Sequence, residues 1–186
     1  MRWPVVLLLA AVAQLSPRAA AAVSIAVVPS QTSLNVGDSL SVTLEASALA
    51  GAAVGAFDVD LGFDPARFSL SGVTFGSALG DVGAGEQLTD VVSGTGSVSL
   101  GTVSLLDPVT LAGLQTDPLA LVTLVFEAVG AGTGAFTIDA ALLSDAFAAA
   151  LAIDGQTGAS VEVVPEPALA LLLVFTAGAF GRRGPA

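Results

Sequence analysis

Hydrophobic and polar residues alternate along most of the chain from residue 23 to residue 163. The alternation is clearest at 39–45 and 57–63, and further apolar runs cover 98–105, 119–129, 136–138 and 161–163. A two-residue period places apolar side chains on one face of a strand, so these runs predict half-buried antiparallel strands. Turn-forming Gly, Pro, Asn and Asp residues separate the runs. The pattern therefore predicts an all-β fold, an antiparallel β-sandwich.

Four segments inside this region carry more specific expectations. Residues 119–129 are almost continuously apolar, which predicts a central strand. Residues 101–102 (Gly-Thr) interrupt the alternation and predict a bulge or a tight bend. Residues 154–155 (Asp-Gly) have the composition of a two-residue hairpin turn. The alanine-rich segment 140–152 favours a helix by propensity, or a loop that flanks a strand.

The N-terminal segment has the composition of an export signal. Arg2 provides a positive start, residues 5–13 are apolar, and residues 19–22 are four alanines. A short apolar run between a positive charge and small residues is typical of a secretory signal peptide. We therefore predict a signal peptide at residues 1–22, removed when the protein is exported.

The C-terminal segment 164–186 combines three features: a Val-Pro-Glu-Pro motif (Val164, Pro165, Glu166 and Pro167), an uncharged run at 168–180, and the pair Arg182 and Arg183. The prolines keep the motif extended and remove backbone donors. As a helix the run reaches about 21 Å, against roughly 30 Å of hydrocarbon in a bilayer. This length is compatible with either a short transmembrane helix or a C-terminal helix in the protein core. With a transmembrane helix, the two arginines would stay on the cytoplasmic side.

This arrangement resembles the PEP-CTERM tail of Gram-negative surface proteins. The resemblance implies that exosortase, a membrane enzyme, recognises the motif and processes the chain there. It also implies that the chain is held in the inner membrane by its C-terminal helix only transiently. The protein would then reach the cell surface or the extracellular matrix.

The composition between the two terminal segments excludes several classes of function. Residues 23–164 contain fifteen acidic residues, one arginine and no lysine, a formal charge of −14. Nucleic acid is excluded as a partner because phosphate binding needs Lys and Arg. The sequence also lacks His and Cys, which removes Ser-His-Asp catalysis, the usual zinc sites and disulfides. We therefore predict a non-enzymatic protein without a required cofactor.

One group of carboxylates is a candidate for chemistry. Asp58 and Asp60 project from one face of a predicted strand, and Asp64 follows at a turn. Oxygen ligands in an acidic extracellular domain could hold Ca²⁺. Asp58 and Asp60 could also be the carboxylate pair of a glycosidase. The simpler interpretation is that Asp58 and Asp60 line the solvated face and Asp64 caps an Asp-Pro turn. The seven phenylalanines of 23–164 are predicted to lie in the core.

The order of motifs in residues 23–163 resembles the cohesin-like family of jelly-roll β-sandwiches. The similar stretches are 36–42 (Val-Gly-Asp-Ser-Leu-Ser-Val), 55–65, 119–129 and 154–163. The resemblance implies the same fold and two possible partners, a dockerin-like protein or a polysaccharide. Carbohydrate modules commonly stack sugar rings on Trp or Tyr, and residues 23–163 contain neither.

Together these observations predict an exported cell-surface or extracellular-matrix protein, sorted by exosortase, with a structural or adhesive role. The alternative is a specific binding module of the cohesin type, which takes a dockerin-like protein or an exopolysaccharide.

Overall fold

The computed structural model describes residues 23–165. Within this range the chain forms twelve strands, one α-helix and a single 3-10 turn at Ser77–Leu79. The strands are β1 (Val23–Pro29), β2 (Ser33–Asn35), β3 (Ser39–Ser47), β4 (Val54–Phe63), β5 (Phe68–Phe75), β6 (Gln87–Gly94), β7 (Ser97–Ser104), β8 (Leu119–Ala128), β9 (Gly132–Asp145), β10 (Ala150–Leu151), β11 (Ile153–Thr157) and β12 (Ala159–Val164). The helix α1 spans Pro108–Leu114. The predicted all-β class is therefore confirmed.

The strands form two sheets that pack face to face. The first sheet has the order β11-β1-β3-β8-β5, and the second has the order β2-β12-β9-β4-β7-β6, with β10 added to β9. Neighbouring strands are antiparallel, except that β1 pairs in parallel with β11 and β12 pairs in parallel with β2. The architecture is the predicted β-sandwich, with β9, β4, β7 and β6 as adjacent strands of the second sheet.

Alternate residues of each strand face the space between the sheets. In β4 the inward residues Phe57, Val59 and Leu61 are buried, whereas Asp58 is exposed. A cluster of aromatic rings lies at one end of the core, with Phe126 at 5.0 Å from both Phe63 and Phe136 between ring centroids. The core side chains of residues 23–164 are each at most 5% exposed and pack against one another between the two sheets. We therefore treat this segment as an independently folding domain.

Three expectations from the sequence are corrected. Residues 101–102 continue β7 with regular pairing to both neighbours, and Thr102 is buried as the inward residue. Residues 154–155 lie inside β11, where Gly155 pairs with Ser24 of β1. Residues 140–152 form the end of β9, a tight turn and β10. In each case pairing with a neighbouring strand decides the conformation rather than local propensity.

The helix α1 is absent from the sequence prediction, although its start carries a clear signal. The carboxylate of Asp107 accepts hydrogen bonds from the backbone N–H of Val109 at 3.0 Å and of Thr110 at 3.1 Å, and from the Thr110 hydroxyl at 2.6 Å. Pro108 occupies the first helical position, where its missing N–H costs nothing. Asp followed by Pro and, two residues later, Thr is thus an N-cap rather than a simple turn.

The cap makes a pH-dependent contribution to stability. The Thr110 hydroxyl, followed by backbone donors, lowers the pKa of Asp107 below its ordinary value. A lowered pKa means that the ionised cap stabilises the fold above the unfolded pKa of about 3.9, and that this stabilisation is lost as the pH falls through the folded pKa. The variant Asp107→Ala should melt below the wild type at neutral pH, and the difference should shrink in acid. Thermal unfolding from pH 7 to pH 2 tests this.

The matched control for the cap is Asp107→Asn. Asparagine caps helices well but does not titrate, so its difference in melting temperature from Asp107→Ala should stay constant over the same pH range. If the difference in melting temperature between the wild type and Asp107→Ala is equally constant over this pH range, the account of the cap is wrong.

The C-terminal end of the described chain is part of the sheet. Val164, which the sequence assigned to the sorting motif, is the last residue of β12, pairs with Asn35, and accepts a hydrogen bond from the Val36 N–H at 3.0 Å. Pro165 follows and is exposed. The described residues do not include the predicted signal peptide or the rest of the C-terminal segment, namely Glu166, Pro167, the predicted C-terminal helix, Arg182 and Arg183. Within residues 23–165, no helix has the length and apolar character to cross a membrane.

Candidate functional site

The outer face of the second sheet carries a row of exposed apolar side chains. Leu88 of β6 pairs with Val103 of β7, which pairs in turn with Ala56 of β4. Leu88 is 61% exposed, Val103 50% and, on β9, Leu142 72%. These residues and the nearby Ala148 and Ala150 line a groove of about 540 Å³. We call this the apolar groove.

The floor of the apolar groove is a glycine between two carboxylates. Gly101 pairs with Asp58 of β4 on one side and with Asp90 of β6 on the other. Gly101 has no side chain, so nothing projects from this position of β7 into the groove. A Cβ at this position would meet only the Asp90 Cβ at 3.7 Å, an ordinary contact. A larger residue at position 101 would therefore fill the groove without a clash at its Cβ.

The electrostatic environment of the apolar groove is negative. Asp58 and Asp90 belong to its lining. Asp60 lies on the same outer face, one pair further along the sheet, and accepts a hydrogen bond from the Ser99 hydroxyl. The single cation of residues 23–164 is Arg67, which lies in the turn before β5. An apolar groove with acidic neighbours favours a partner that presents apolar side chains beside Lys or Arg.

The three predicted carboxylates do not form one cluster. Asp58 and Asp60 do lie on the outer face of β4. Asp64 lies in the turn after β4, where it accepts a hydrogen bond from the Ala66 N–H at 2.9 Å. Among residues 23–165 no three acidic side chains come close enough together to hold a metal ion.

Calcium binding by Asp58, Asp60 and Asp64 together would require these carboxylates to move closer to one another; it stays a prediction, and it has a direct test. If Ca²⁺ binds the folded state, an excess over Kd should raise the melting temperature, by about 2.7 kcal/mol of added stability at a hundredfold excess. The variant Asp58→Asn should remove the shift. Thermal unfolding in calcium and in a matched magnesium buffer measures this effect, and an unchanged melting temperature in calcium would contradict it.

The outer face of the first sheet has a different character. It carries hydroxyl groups: Thr43 of β3 and Thr123 of β8 are partly buried, and their Oγ1 atoms lie 3.3 Å apart across the strands. Ser41 of β3 and Thr74 of β5 are exposed on this sheet. Among the described residues, its one large exposed apolar side chain on a strand is Val28 of β1, at 40%, so most of the large apolar side chains exposed on strands lie on the second sheet.

One phenylalanine extends the apolar surface beyond the groove. Phe147 is 80% exposed, which corrects the prediction that all seven phenylalanines are buried. It lies at the tip of the β9–β10 turn, where the Asp145 carboxylate accepts hydrogen bonds from the N–H groups of Phe147 at 2.8 Å and Ala149 at 2.9 Å. Phe147 does not line the apolar groove; it borders a neighbouring pocket together with Pro108 and Val109.

Comparisons with known proteins agree on one family. A family model, the cohesin domain, matches residues 25–163. Among solved structures, a type I cohesin–dockerin complex from Clostridium thermocellum (OlpA cohesin) is 14% identical with a TM-score of 0.63, covering 77% of this chain and 99% of that one. A type II cohesin domain from the cellulosome of Acetivibrio cellulolyticus is 13% identical with a TM-score of 0.62, covering 75% and 95%.

The fold also occurs outside cellulosomes. A non-cellulosomal cohesin from the archaeon Archaeoglobus fulgidus is 13% identical with a TM-score of 0.58, covering 82% of this chain and 98% of that one. No curated protein matches the sequence. At these identities the solved structures show the shared fold, and the family match covers almost the whole sandwich. The chain therefore belongs to the cohesin domain family.

Proposed function

We propose that this protein is a non-catalytic binding module that takes a dockerin-like protein on the outer face of its second sheet. The observation that carries the proposal is the apolar groove, in which Leu88, Val103 and Leu142 are exposed on an otherwise acidic domain. Cohesin domains are binding modules rather than enzymes, and the OlpA cohesin of C. thermocellum forms a complex with a dockerin.

The groove defines the chemistry of the partner. Burying exposed leucine and valine side chains supplies the main favourable free energy, about 25 cal/mol per Å² of apolar area. Asp58 and Asp90 border the same floor, so a partner with Lys or Arg beside its apolar residues would form charge pairs there. Such pairs raise the association rate and fix the orientation of the partner. Association should therefore slow as salt concentration rises.

A specific binding module is favoured over a purely structural or adhesive role, because cohesin domains bind dockerin partners. A protein partner is also favoured over a polysaccharide. Sugar rings stack on exposed aromatic faces, whereas the large exposed side chains of the groove, Leu88, Val103 and Leu142, are aliphatic. The one phenylalanine in the lining, Phe57, is buried. The aliphatic lining matches apolar side chains of a protein better than the hydroxylated edges of a sugar.

Isothermal titration calorimetry tests this function. The domain, residues 23–164, is titrated with recombinant type I and type II dockerin modules and with purified bacterial exopolysaccharide. We expect saturable one-to-one binding to a dockerin and no saturable binding to the polysaccharide. Saturable binding to the polysaccharide alone, or to none of these probes, would contradict the proposal.

We further propose that the chain is exported by residues 1–22 and processed by exosortase at the motif 164–167. Two features of the described chain support this: β12 ends at Val164, and Pro165 beyond it is exposed. The motif thus begins at the last residue of β12, and its second residue, Pro165, is exposed, where an enzyme could approach it. Release would leave the domain at the cell surface or in the extracellular matrix.

Deletion of residues 165–167 should leave the protein in the inner membrane, because the recognition motif is lost while β12 stays intact. Membrane fractionation and intact mass measure the outcome in the native host. The control is Leu172→Asp, which places a charge in the apolar run at a cost of about 2.5–3.5 kcal/mol on insertion scales and should reduce membrane retention instead. Normal release of the deletion variant would contradict processing at this motif.

A further inference from the structure

The strand β6 lies at an edge of the second sheet, is eight residues long and carries one charged residue, Asp90. Among the described strands it pairs with β7 alone, and that register is regular along all of β6. The other edges differ: β2 has three residues, β5 has a register shift between Leu70 and Gly72, and β11 contains Gly155. Short length, bulges, proline and lysine normally prevent unwanted pairing at an edge. β6 contains neither lysine nor proline.

The hydrogen bonds to β7 show which backbone groups of β6 lie on its free edge. The Glu86 carbonyl accepts a hydrogen bond from the Leu105 N–H at 2.7 Å, which places Glu86 in a pair that is hydrogen-bonded to β7. Alternation then directs the backbone groups of Leu88, Asp90 and Val92 toward β7. The N–H and C=O groups of Thr89, Val91 and Ser93 point away from the sheet, where an added strand could pair with them.

A cleft lies beside this free edge, between β6 and β5 of the facing sheet. It has a volume of about 530 Å³ and is lined by Val73, Phe75, Val82, Thr89 and Val91, among others. Val82 is 49% exposed and Val91 40% exposed. Side chains on the inner face of an added strand would enter this cleft, so alternate residues of that strand should be apolar.

The charges around the free edge are acidic. Asp90 projects outward from the middle of β6, and Asp81 and Glu86 lie at its start, where the Asp81 N–H donates to the Glu86 carboxylate at 2.9 Å. The remaining residues of an added strand would face outward beside Asp90. This charge favours Lys or Arg at those positions, and it disfavours a second copy of a domain with a formal charge of −14.

We propose that the free edge of β6 binds an extended segment of a partner protein in which apolar residues alternate with Lys or Arg. The segment pairs with Thr89, Val91 and Ser93 as an added strand, its apolar side chains enter the cleft, and its basic side chains lie beside Asp90. This strand-addition site lies along the open edge of β6, next to the apolar groove, which Thr89 and Asp90 also border. It does not depend on the proposed function.

The test uses two peptides with matched sequence patterns, acetyl-(Lys-Val)4-amide and acetyl-(Glu-Val)4-amide, titrated into the 15N-labelled domain. With the lysine peptide, amide shift changes should be centred on Thr89, Val91 and Ser93. Affinity should fall about tenfold in Val91→Pro, which removes one edge donor and bends the strand, a loss of about 1.4 kcal/mol. The glutamate peptide should leave these amides unchanged.

Several outcomes would overturn the proposal. Equal affinity for wild type and folded Val91→Pro would show that the peptide is held by general attraction to an acidic domain. Shift changes confined to residues outside β6, or no shift changes at millimolar peptide, would also contradict the proposal. Concentration-dependent dimerisation through these amides without peptide would identify a second copy as the occupant instead. If Val91→Pro does not fold, the proposal is tested by whether the shift changes of the wild type are centred on Thr89, Val91 and Ser93.

Discussion

Replacing Leu142 with lysine should weaken dockerin binding by roughly thirtyfold or more, because interface hot spots cost about 2 kcal/mol or more when removed. Leu142 is 72% exposed in the free domain and belongs to the lining of the apolar groove. The substitution removes apolar area and adds a positive charge, which opposes a basic partner. Its outward position predicts a change in stability within about 0.5 kcal/mol. Calorimetric titration and thermal unfolding measure the two effects.

The control for this variant is Ser41→Lys, which makes the same change of charge on the outer face of the first sheet. Ser41 is exposed on β3, and its substitution should leave affinity nearly unchanged. A third variant, Gly101→Leu, fills the floor of the groove without altering charge and should also weaken binding. Equal losses for Leu142→Lys and Ser41→Lys would mean that net charge, rather than the groove, governs binding.

Replacing Phe126 with alanine should destabilise the domain by about 3–5 kcal/mol, the usual cost of removing a buried aromatic ring. Phe126 is fully buried, and its ring lies at 5.0 Å from those of Phe63 and Phe136 and at 6.3 Å from that of Phe68. Its loss leaves a cavity between both sheets. Urea unfolding of the domain measures the change in the free energy of unfolding.

The matched control is Phe147→Ala, the same substitution at a position that is 80% exposed. It should change the free energy of unfolding by at most about 0.5 kcal/mol. Comparable losses in the two variants would contradict the assignment of Phe126 to the core and of Phe147 to the surface.

The sequence was sufficient for the fold class because one face of most strands is apolar and the other is polar. It failed where an outer face is itself apolar. Val98 and Leu100 face inward in β7, but Val103 faces outward into the groove. In the sequence alone, this change of phase predicts a bulge at residues 101–102. An apolar residue on the wrong face of a regular strand was the available sign of a binding surface.

Strand pairing also determines conformations that the local sequence does not predict. Residues 154–155 have the composition of a hairpin turn, yet they extend β11 because β1 offers a parallel partner. The helix α1 depends on a local cap at Asp107. An Asp-Pro dipeptide is also typical of a turn, so the sequence does not distinguish the two.

The candidate site also combines a residue that the sequence identifies with residues that only the structure brings together. Asp58 was identified from its strand position, but its neighbours in the groove were not, because Leu88, Gly101 and Leu142 are distant in sequence. Only the registers of β4 with β7 and β9, and of β6 with β7, bring them together. The identity of the groove as an apolar surface therefore required the structure.

The most direct test of the central claim is to map the bound surface by nuclear magnetic resonance. The 15N- and methyl-labelled domain is titrated with the dockerin module that binds most tightly. The account predicts that intensity and shift changes centre on the methyl groups of Leu88, Val103 and Leu142, with Thr43 and Thr123 unchanged. Changes centred on the threonine face of the first sheet, with the groove unaffected, would contradict it.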